Sequence, residues 1–176
     1  MEKADWTMNT GIPISLRPEA PKDADFLFRL YASTRAEEMN LVPWDETQKE
    51  AFLRMQFQAQ SVHYRRYYPD ASYDVILREG NAVGRLYVHR TEYAILLIDI
   101  ALLPEHRGSG IGSRLLNEIL SQASTLGRRV QIHVERNNPA LRLYTRLGFR
   151  IAEDKGVYYF MEWAPSRKQE IKWRGN

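Results

Sequence analysis

The chain has no cysteine among its 176 residues. Disulfides, thiolate metal sites and a cysteine nucleophile are therefore excluded, and a reducing location such as the cytoplasm is expected. Long apolar runs are missing too. The longest, Tyr93 to Leu103, is too short to span a bilayer and carries Asp99, so it reads as a buried strand. Met1 to Thr10 mixes charge with Trp6 and holds no apolar stretch, so no signal peptide and no membrane partner are expected. Repeats, low-complexity tracts and linkers rich in Gly, Pro or Ser are absent. One domain over residues 1–176 is expected, with its core from about 11 to 165 and looser ends before Gly11 and after Pro165.

Several chemistries lack their residues. His63, His89, His106 and His133 are scattered without metal-ligand spacing, so no metal is expected. No Gly-x-Ser-x-Gly elbow supports a serine hydrolase, and no Gly-Lys-Ser/Thr supports a mononucleotide P-loop. The formal charge of +3 suits a phosphate-bearing ligand or nucleic acid, but a plain surface excess of arginine accounts for it as simply. His63-Tyr64-Arg65-Arg66-Tyr67-Tyr68 interleaves arginine with aromatics, a pattern that stacks on nucleic acid. Arginines at a helix end complementing its dipole are the more economical reading, and nucleic acid is not expected as a partner.

What is present has a clear order. Ile12 to Arg17 alternates as a first strand, and Pro21 to Thr34 has helical spacing at Phe26, Leu27, Leu30 and Tyr31. Asp45 caps a second helix to about Tyr67, with a stripe at Phe52, Met55, Ala59 and Val62. Ser72 to Arg78 and Ala82 to Val88 are strands around a Glu79-Gly80-Asn81 hairpin, and Tyr93 to Leu103 follows as a third antiparallel strand. Gly110 to Leu126 then places Ile111, Leu115, Leu116, Ile119, Leu120 and Ala123 on one helical face, with Gly127 as its stop. With Val130 to Val134 it makes a strand–helix–strand crossover, which joins parallel strands. Asn138 caps a last helix with Pro139 at its first position and Ala140, Leu143, Tyr144 and Leu147 on its apolar face. Phe149 to Glu153 and Val157 to Trp163 flank Lys155-Gly156 as a final hairpin. The expected fold is α/β: a mixed sheet, antiparallel at first, with a central parallel β-α-β unit flanked by helices. Edge strands near both ends are available to pair between chains as a homodimer.

The chemistry sits in Arg107-Gly108-Ser109-Gly110-Ile111-Gly112, between the buried strand and a helix. Glycine lets the backbone adopt unusual dihedrals and approach a ligand closely. The first N–H groups of the following helix are unpaired and, with its dipole, form a phosphate site; Arg107 and Arg114 add charge. A tight turn with no ligand is the alternative. The dinucleotide fingerprint G-x-G-x-x-G fails because Ser113 stands where its third glycine belongs, although Glu135 lies near the distance of a ribose-binding acid.

Pro104 to Gly112 resembles the acetyl-CoA motif of the general N-acetyltransferase (GNAT) superfamily, Arg/Gln-x-x-Gly-x-Gly/Ala, through Arg107, Gly110 and Gly112. Asn137-Asn138-Pro139-Ala140-Leu141-Arg142-Leu143-Tyr144, closed by Gly148-Phe149, resembles its second motif, Asn-x-x-Ala-x-x-Leu-Tyr. The resemblance runs in element order from Ile12 to Trp163. It implies acetyl-CoA as co-substrate, an amine acceptor on a small molecule or a protein, and transfer without a metal. Backbone N–H groups from Arg107 through Gly108, Ser109, Gly110, Ile111 and Gly112 to Ser113 are implied to hold the pyrophosphate. Leu102 and Leu103 pair with the pantetheine arm, entering where the two parallel strands splay apart, with an oxyanion donor near Ile100 to Leu102. Asn137 and Ala140 lie in the second motif, with Asn137 toward the pantetheine region. Arg142 and Arg146 are candidates for the 3′-phosphate, a solvated helix face being the plainer reading. Tyr144 stands at the position of the family's acid, and Asp99 and Glu135 are the candidate bases. Glu37, Glu38, Asp45 and Glu46 lie where the family often builds its acceptor site, but they also suit a solvated helix start. A non-catalytic acyl-CoA-binding module is the alternative function.

Overall fold

Alternation in the N-terminal half folds as an antiparallel meander. The computed structural model describes residues 13–165, so Ile12, the segment before it and the polar run after Pro165 lie outside the described residues. The chain divides into two units by contact: Met1–Arg90 with Leu96–Leu115, and Thr91–Ile95 with Leu116–Asn176. In the first unit the strands are β1 (Ile14–Pro18), β2 (Ser72–Arg78), β3 (Asn81–Arg90) and the greater part of β4 (Ala94–Leu102), in that spatial order. β1 and β3 each pair antiparallel with β2, Ile14 opposite Arg78 and Ser72 opposite Val88, with a bulge between Ile76 and Leu77. Glu79 and Gly80 take φ of 52° and 82°. Two left-handed residues in succession are what a two-residue hairpin requires.

Helix α1 (Ala24–Thr34) buries Leu27, Leu30 and Tyr31, as the spacing predicts. A 3-10 turn, Pro21–Asp23, leads into it, and α2 (Ala36–Asn40) follows. Helix α3 (Glu46–Tyr67) opens on a capping box: Asp45 Oδ1 accepts from the Gln48 N–H at 2.8 Å, and Gln48 Oε1 accepts from the Asp45 N–H at 3.1 Å. Its inward face differs from the expected stripe. Met55 and Val62 are 58% and 60% exposed, and Leu53 is the buried residue. Phe57 meets the rings of Phe28 and Tyr31 at 6.0 and 5.5 Å, and Tyr64 meets Tyr87 at 6.2 Å. The helix is polar nearly all round, so its own periodicity is weak; the aromatic partners on α1 and β3 choose the face.

The second unit carries most of α4 (Ile111–Leu126), then β5 (Arg129–Glu135), α5 (Leu141–Arg146), β6 (Arg150–Asp154) and β7 (Tyr158–Trp163). All six residues expected on the α4 face are buried, from Leu120 at 7% to Ala123 at 0%. Gly127 ends the helix at φ 65°, and the Arg128 N–H donates to Ala123 O at 2.8 Å, the six-to-one bond of a Schellman stop. The strand order is β5-β7-β6, antiparallel throughout, with Gly156 at φ 80° in the β6–β7 turn. Every residue of β6 is exposed.

Candidate active site

In the first unit the chain leaves β4 at Leu102, makes a 3-10 turn over Pro104–His106 and enters the glycine loop. Gly108 and Gly110 sit at φ 70° and 85°. A Cβ on either would meet nothing within 4 Å, so their constraint is the left-handed backbone, and the loop's outer side stays open. The first bond of α4 runs from the Arg114 N–H to Gly110 O at 3.0 Å. The amides of Ile111, Gly112 and Ser113 precede it, in the turn that every helix leaves without internal acceptors. Buried Ile111 pins that turn, and the Ser109 hydroxyl donates to His106 O at 2.6 Å. Pre-shaped amides at a helix start, beside the exposed Gly108 to Gly110, fit a phosphate.

Arg107, expected to add charge at the loop, also ties the loop down. Its Nε donates to Leu102 O at 2.9 Å, and its Nη2 reaches Ser33 Oγ at 3.2 Å and Ser33 O at 3.4 Å. The guanidinium thus braces the loop against the end of β4 and the end of α1. Leu103 spends its N–H on Val83 O at 2.9 Å. Of the two residues expected to pair with the pantetheine arm, Leu103 has its donor engaged within the sheet. The Leu102 carbonyl is the acceptor that Arg107 Nε holds. Gly84 of β3 makes this approach possible, since a Cβ there would collide with Ala101 O and lie 2.7 Å from Leu102 Cδ2.

Asp99 of β4 meets a residue that sequence reasoning passed over. Arg85 of β3 is 3% exposed, and its Nη2 donates to Asp99 Oδ2 at 2.5 Å and to Gln60 Oε1 of α3 at 2.9 Å. Its guanidinium lies 5.1 Å from the Tyr87 ring centroid. Burial pushes the Arg85 guanidinium down, but the Asp99 carboxylate, together with the Tyr87 and Tyr64 hydroxyls, outweighs this, so it is held above its ordinary value. Burial also raises the Tyr87 phenol well above its usual range, helped by its hydrogen bond to Glu19 at 2.6 Å. The signal in the sequence was one arginine inside the apolar run Val83-Gly84-Arg85-Leu86-Tyr87-Val88.

The acidic run near α2 and α3 is largely occupied within its helices. Glu38 pairs with Arg35 at 2.9 Å, Glu46 pairs with Lys49 at 3.1 Å, and Asp45 is the cap of α3. A cleft of about 670 Å³ among α1, α2 and α3 is lined by Phe28, Ala32, Met39 and Leu53, with charged residues such as Asp25 and Arg29.

The second unit holds the other candidates. Tyr144 of α5 is 4% exposed, and its ring stands 5.7 Å from Phe149 at an interplanar angle of 67°. The Phe149 N–H donates to Tyr144 O at 3.0 Å, fixing the Gly148-Phe149 close. The start of α5 differs from expectation. Asn138 Oδ1 accepts from the Ala140 N–H at 2.9 Å and Asn138 O accepts from the Leu141 N–H at 3.1 Å, so Asn138 and Pro139 form a turn and the helix begins at Leu141. The short Asn side chain closes a local turn in place of capping a longer helix. Ala140, at the N-cap, is half-buried; Asn137, Arg142 and Arg146 are exposed; Glu135 is half-buried opposite Tyr158. The first unit thus gathers Asp99, Leu102, Leu103 and Arg107 to Ser113, and the second gathers Glu135, Asn137, Ala140, Tyr144 and Arg146. Among the described residues, no group of three or more His, Asp or Glu is placed to hold a metal, and no helix is long and apolar enough to cross a membrane.

A model of the Acetyltransferase (GNAT) family matches residues 33–149, more than half of the chain. Among curated proteins, Cysteine-rich protein 2-binding protein of Mus musculus is 27% identical over 106 residues, which is 60% of this chain and 13% of that protein. This chain therefore spans only a small part of that relative's length. PaiA N-acetyltransferase from Thermoplasma acidophilum, solved with coenzyme A, superposes with a TM-score of 0.65 at 18% identity, covering 86% of this chain and 99% of that one. Arabidopsis thaliana Naa50, solved with the bisubstrate analogue CoA-Ac-MVNAL, gives 0.57 at 20% identity, with 86% and 98% covered. These likenesses show the fold, a mixed α/β sheet flanked by helices, as the element order predicted. Two glycine-anchored motifs, the fold and the family match agree: the chain belongs to the acetyltransferase (GNAT) family.

Proposed function

We propose that this acetyltransferase moves an acetyl group from acetyl-CoA to a primary amine on a small molecule or a protein, with Tyr144 as the general acid. The observation that carries the reading is the braced glycine loop, with two left-handed glycines and the amides of Ile111, Gly112 and Ser113 ahead of the first helical bond. In this reading those amides and the loop backbone from Arg107 hold the pyrophosphate, and Arg107 keeps their geometry. Leu102 supports the pantetheine arm, and Asn137, Ala140 and Arg146 contribute from the second motif. The whole chain acts as one domain with its core from about 11 to 165. Acetyl-CoA supplies the acyl group already activated as a thioester.

The chain's own residues have three tasks. The attacking amine must be neutral, and a lysine-type amine with a pKa of about 10.4 must lose a proton first. Asp99 and Glu135 are the carboxylates available for that proton or for a water that carries it. A backbone N–H between Ile100 and Leu102 steadies the developing oxyanion. The Tyr144 hydroxyl shares its proton with the departing sulfur. A phenol gives up its proton reluctantly, yet it can share a hydrogen bond with the leaving sulfur. Tyr144→Phe should lower kcat about tenfold or more and leave the acetyl-CoA Kd within twofold, read by thiol release and calorimetry; unchanged kcat at saturation would remove the acid role. Thiol release from acetyl-CoA across a panel of primary amines tests the reaction itself. Binding of acetyl-CoA without release for any amine would leave a binding module in its place.

A further inference from the structure

Among the described residues of the first unit, two arginine–aspartate salt bridges are built differently. Arg17 holds Asp23 with two bonds, Nη1 to Oδ2 at 2.7 Å and Nη2 to Oδ1 at 2.6 Å, and the Ala20 N–H adds a third at 2.8 Å. Both oxygens of Asp23 are occupied. Arg85 touches Asp99 through a single oxygen, Oδ2. Asp99 Oδ1 has no hydrogen-bond partner among the described residues, and the Asp99 side chain keeps 16% exposure. The Nε of Arg85 is buried without a partner among the described residues. A buried ion pair adds little stability over apolar side chains of the same volume, and its unmet polar atoms subtract from that. Saturation by the protein is what a structural pair needs, and only Arg17–Asp23 has it.

The position of the open oxygen is informative. Asp99 adjoins Ile100 to Leu102, the stretch assigned above to the acyl carbonyl, and Leu102 is the residue whose carbonyl Arg107 grips. We propose that Asp99 Oδ1 accepts an N–H of the acceptor amine, and that Arg85 is the positioning residue that holds Asp99 for this, steadied by Gln60 from α3. Arg85 balances the carboxylate's charge, so the pair offers an acceptor oxygen without net charge and orients an amine N–H without trapping an ammonium ion. The proposal rests on the acetyl-transfer reading.

The test uses the full chain, an amine that supports thiol release, and calorimetry with acetyl-CoA alone. Asp99→Asn keeps an oxygen for Arg85 but turns a donor toward the amine, and is expected to raise the amine KM about tenfold with the acetyl-CoA Kd unchanged. Gln60→Leu, which removes a partner of Arg85 and none of Asp99, is expected to raise the amine KM two- to threefold. Arg85→Met is expected to match Asp99→Asn, and Arg85→Lys, which restores a cation, to recover part of the loss. An amine KM unmoved by Asp99→Asn, or an acetyl-CoA Kd that moves in parallel with it, would overturn the proposal and leave acetyl transfer standing. If the unaltered chain binds acetyl-CoA but releases thiol with no amine, acetyl transfer fails and this assignment falls with it.

Discussion

Asp23 is 5% exposed at the entrance to α1, and the Arg17 guanidinium beside it is the main reason its carboxyl sits near 2 and not at its ordinary 3.8. A carboxyl lowered by folding stabilises the folded state only while it is ionised. Its contribution is complete above about 3.8 and is lost as the pH falls through about 2. A difference of this size corresponds to about 2 kcal/mol at neutral pH. Asp23→Asn should lose that amount in urea unfolding at pH 7, and the gap to the unaltered chain should close between pH 4 and pH 2. A gap that stays constant over that range would mean the loss comes from packing and not from charge. Asp99 and Arg107 teach the same lesson at single residues: the residue type is plain in the sequence, but its bonding partner is not.

Among the elements, β3 and α3 were legible as a strand and a helix, but the close approach of β3 to β4 and the inward face of α3 were not. Gly84 looks like an interruption in a good strand, yet it is a place where β4 leaves no room for a Cβ on β3. A glycine inside a strand often marks such an approach. Gly84→Ala should cost about 1 to 3 kcal/mol by overpacking, and by shifting Leu102 it should also weaken acetyl-CoA binding. Full stability with unchanged affinity would show that the strands tolerate the added methyl. In α3 the inward face can be tested directly. Met55→Ala, at a residue 58% exposed, should stay within about 0.5 kcal/mol. Phe57→Ala, which removes a ring packed against Phe28 and Tyr31, should cost about 2 kcal/mol or more in the same unfolding measurement. The reverse ranking would restore the stripe through Met55. Helix α4 needed no such correction, because a purely aliphatic stripe on an otherwise polar helix leaves one face to bury.

For the whole molecule, ligand linkage gives the broadest check. Acetyl-CoA at a hundred times its Kd should stabilise the chain by about 2.7 kcal/mol, and NADH should not raise the melting temperature. Stabilisation by NADH alone would return the glycine loop to dinucleotide binding. The strand and helix order, the buried face of α4, the glycine turns and both family motifs were determined by the sequence itself. They depend on local periodicity and on backbone angles that only certain residues tolerate, and both are encoded within short segments. Tertiary structure alone decided which face of α3 packs inward, that Arg107 braces the loop, that Leu103 has its donor engaged, and that Arg85 from β3 meets Asp99 from β4. Each depends on residues brought together from distant segments of the chain, and no local pattern records which partner a charged side chain will find after folding.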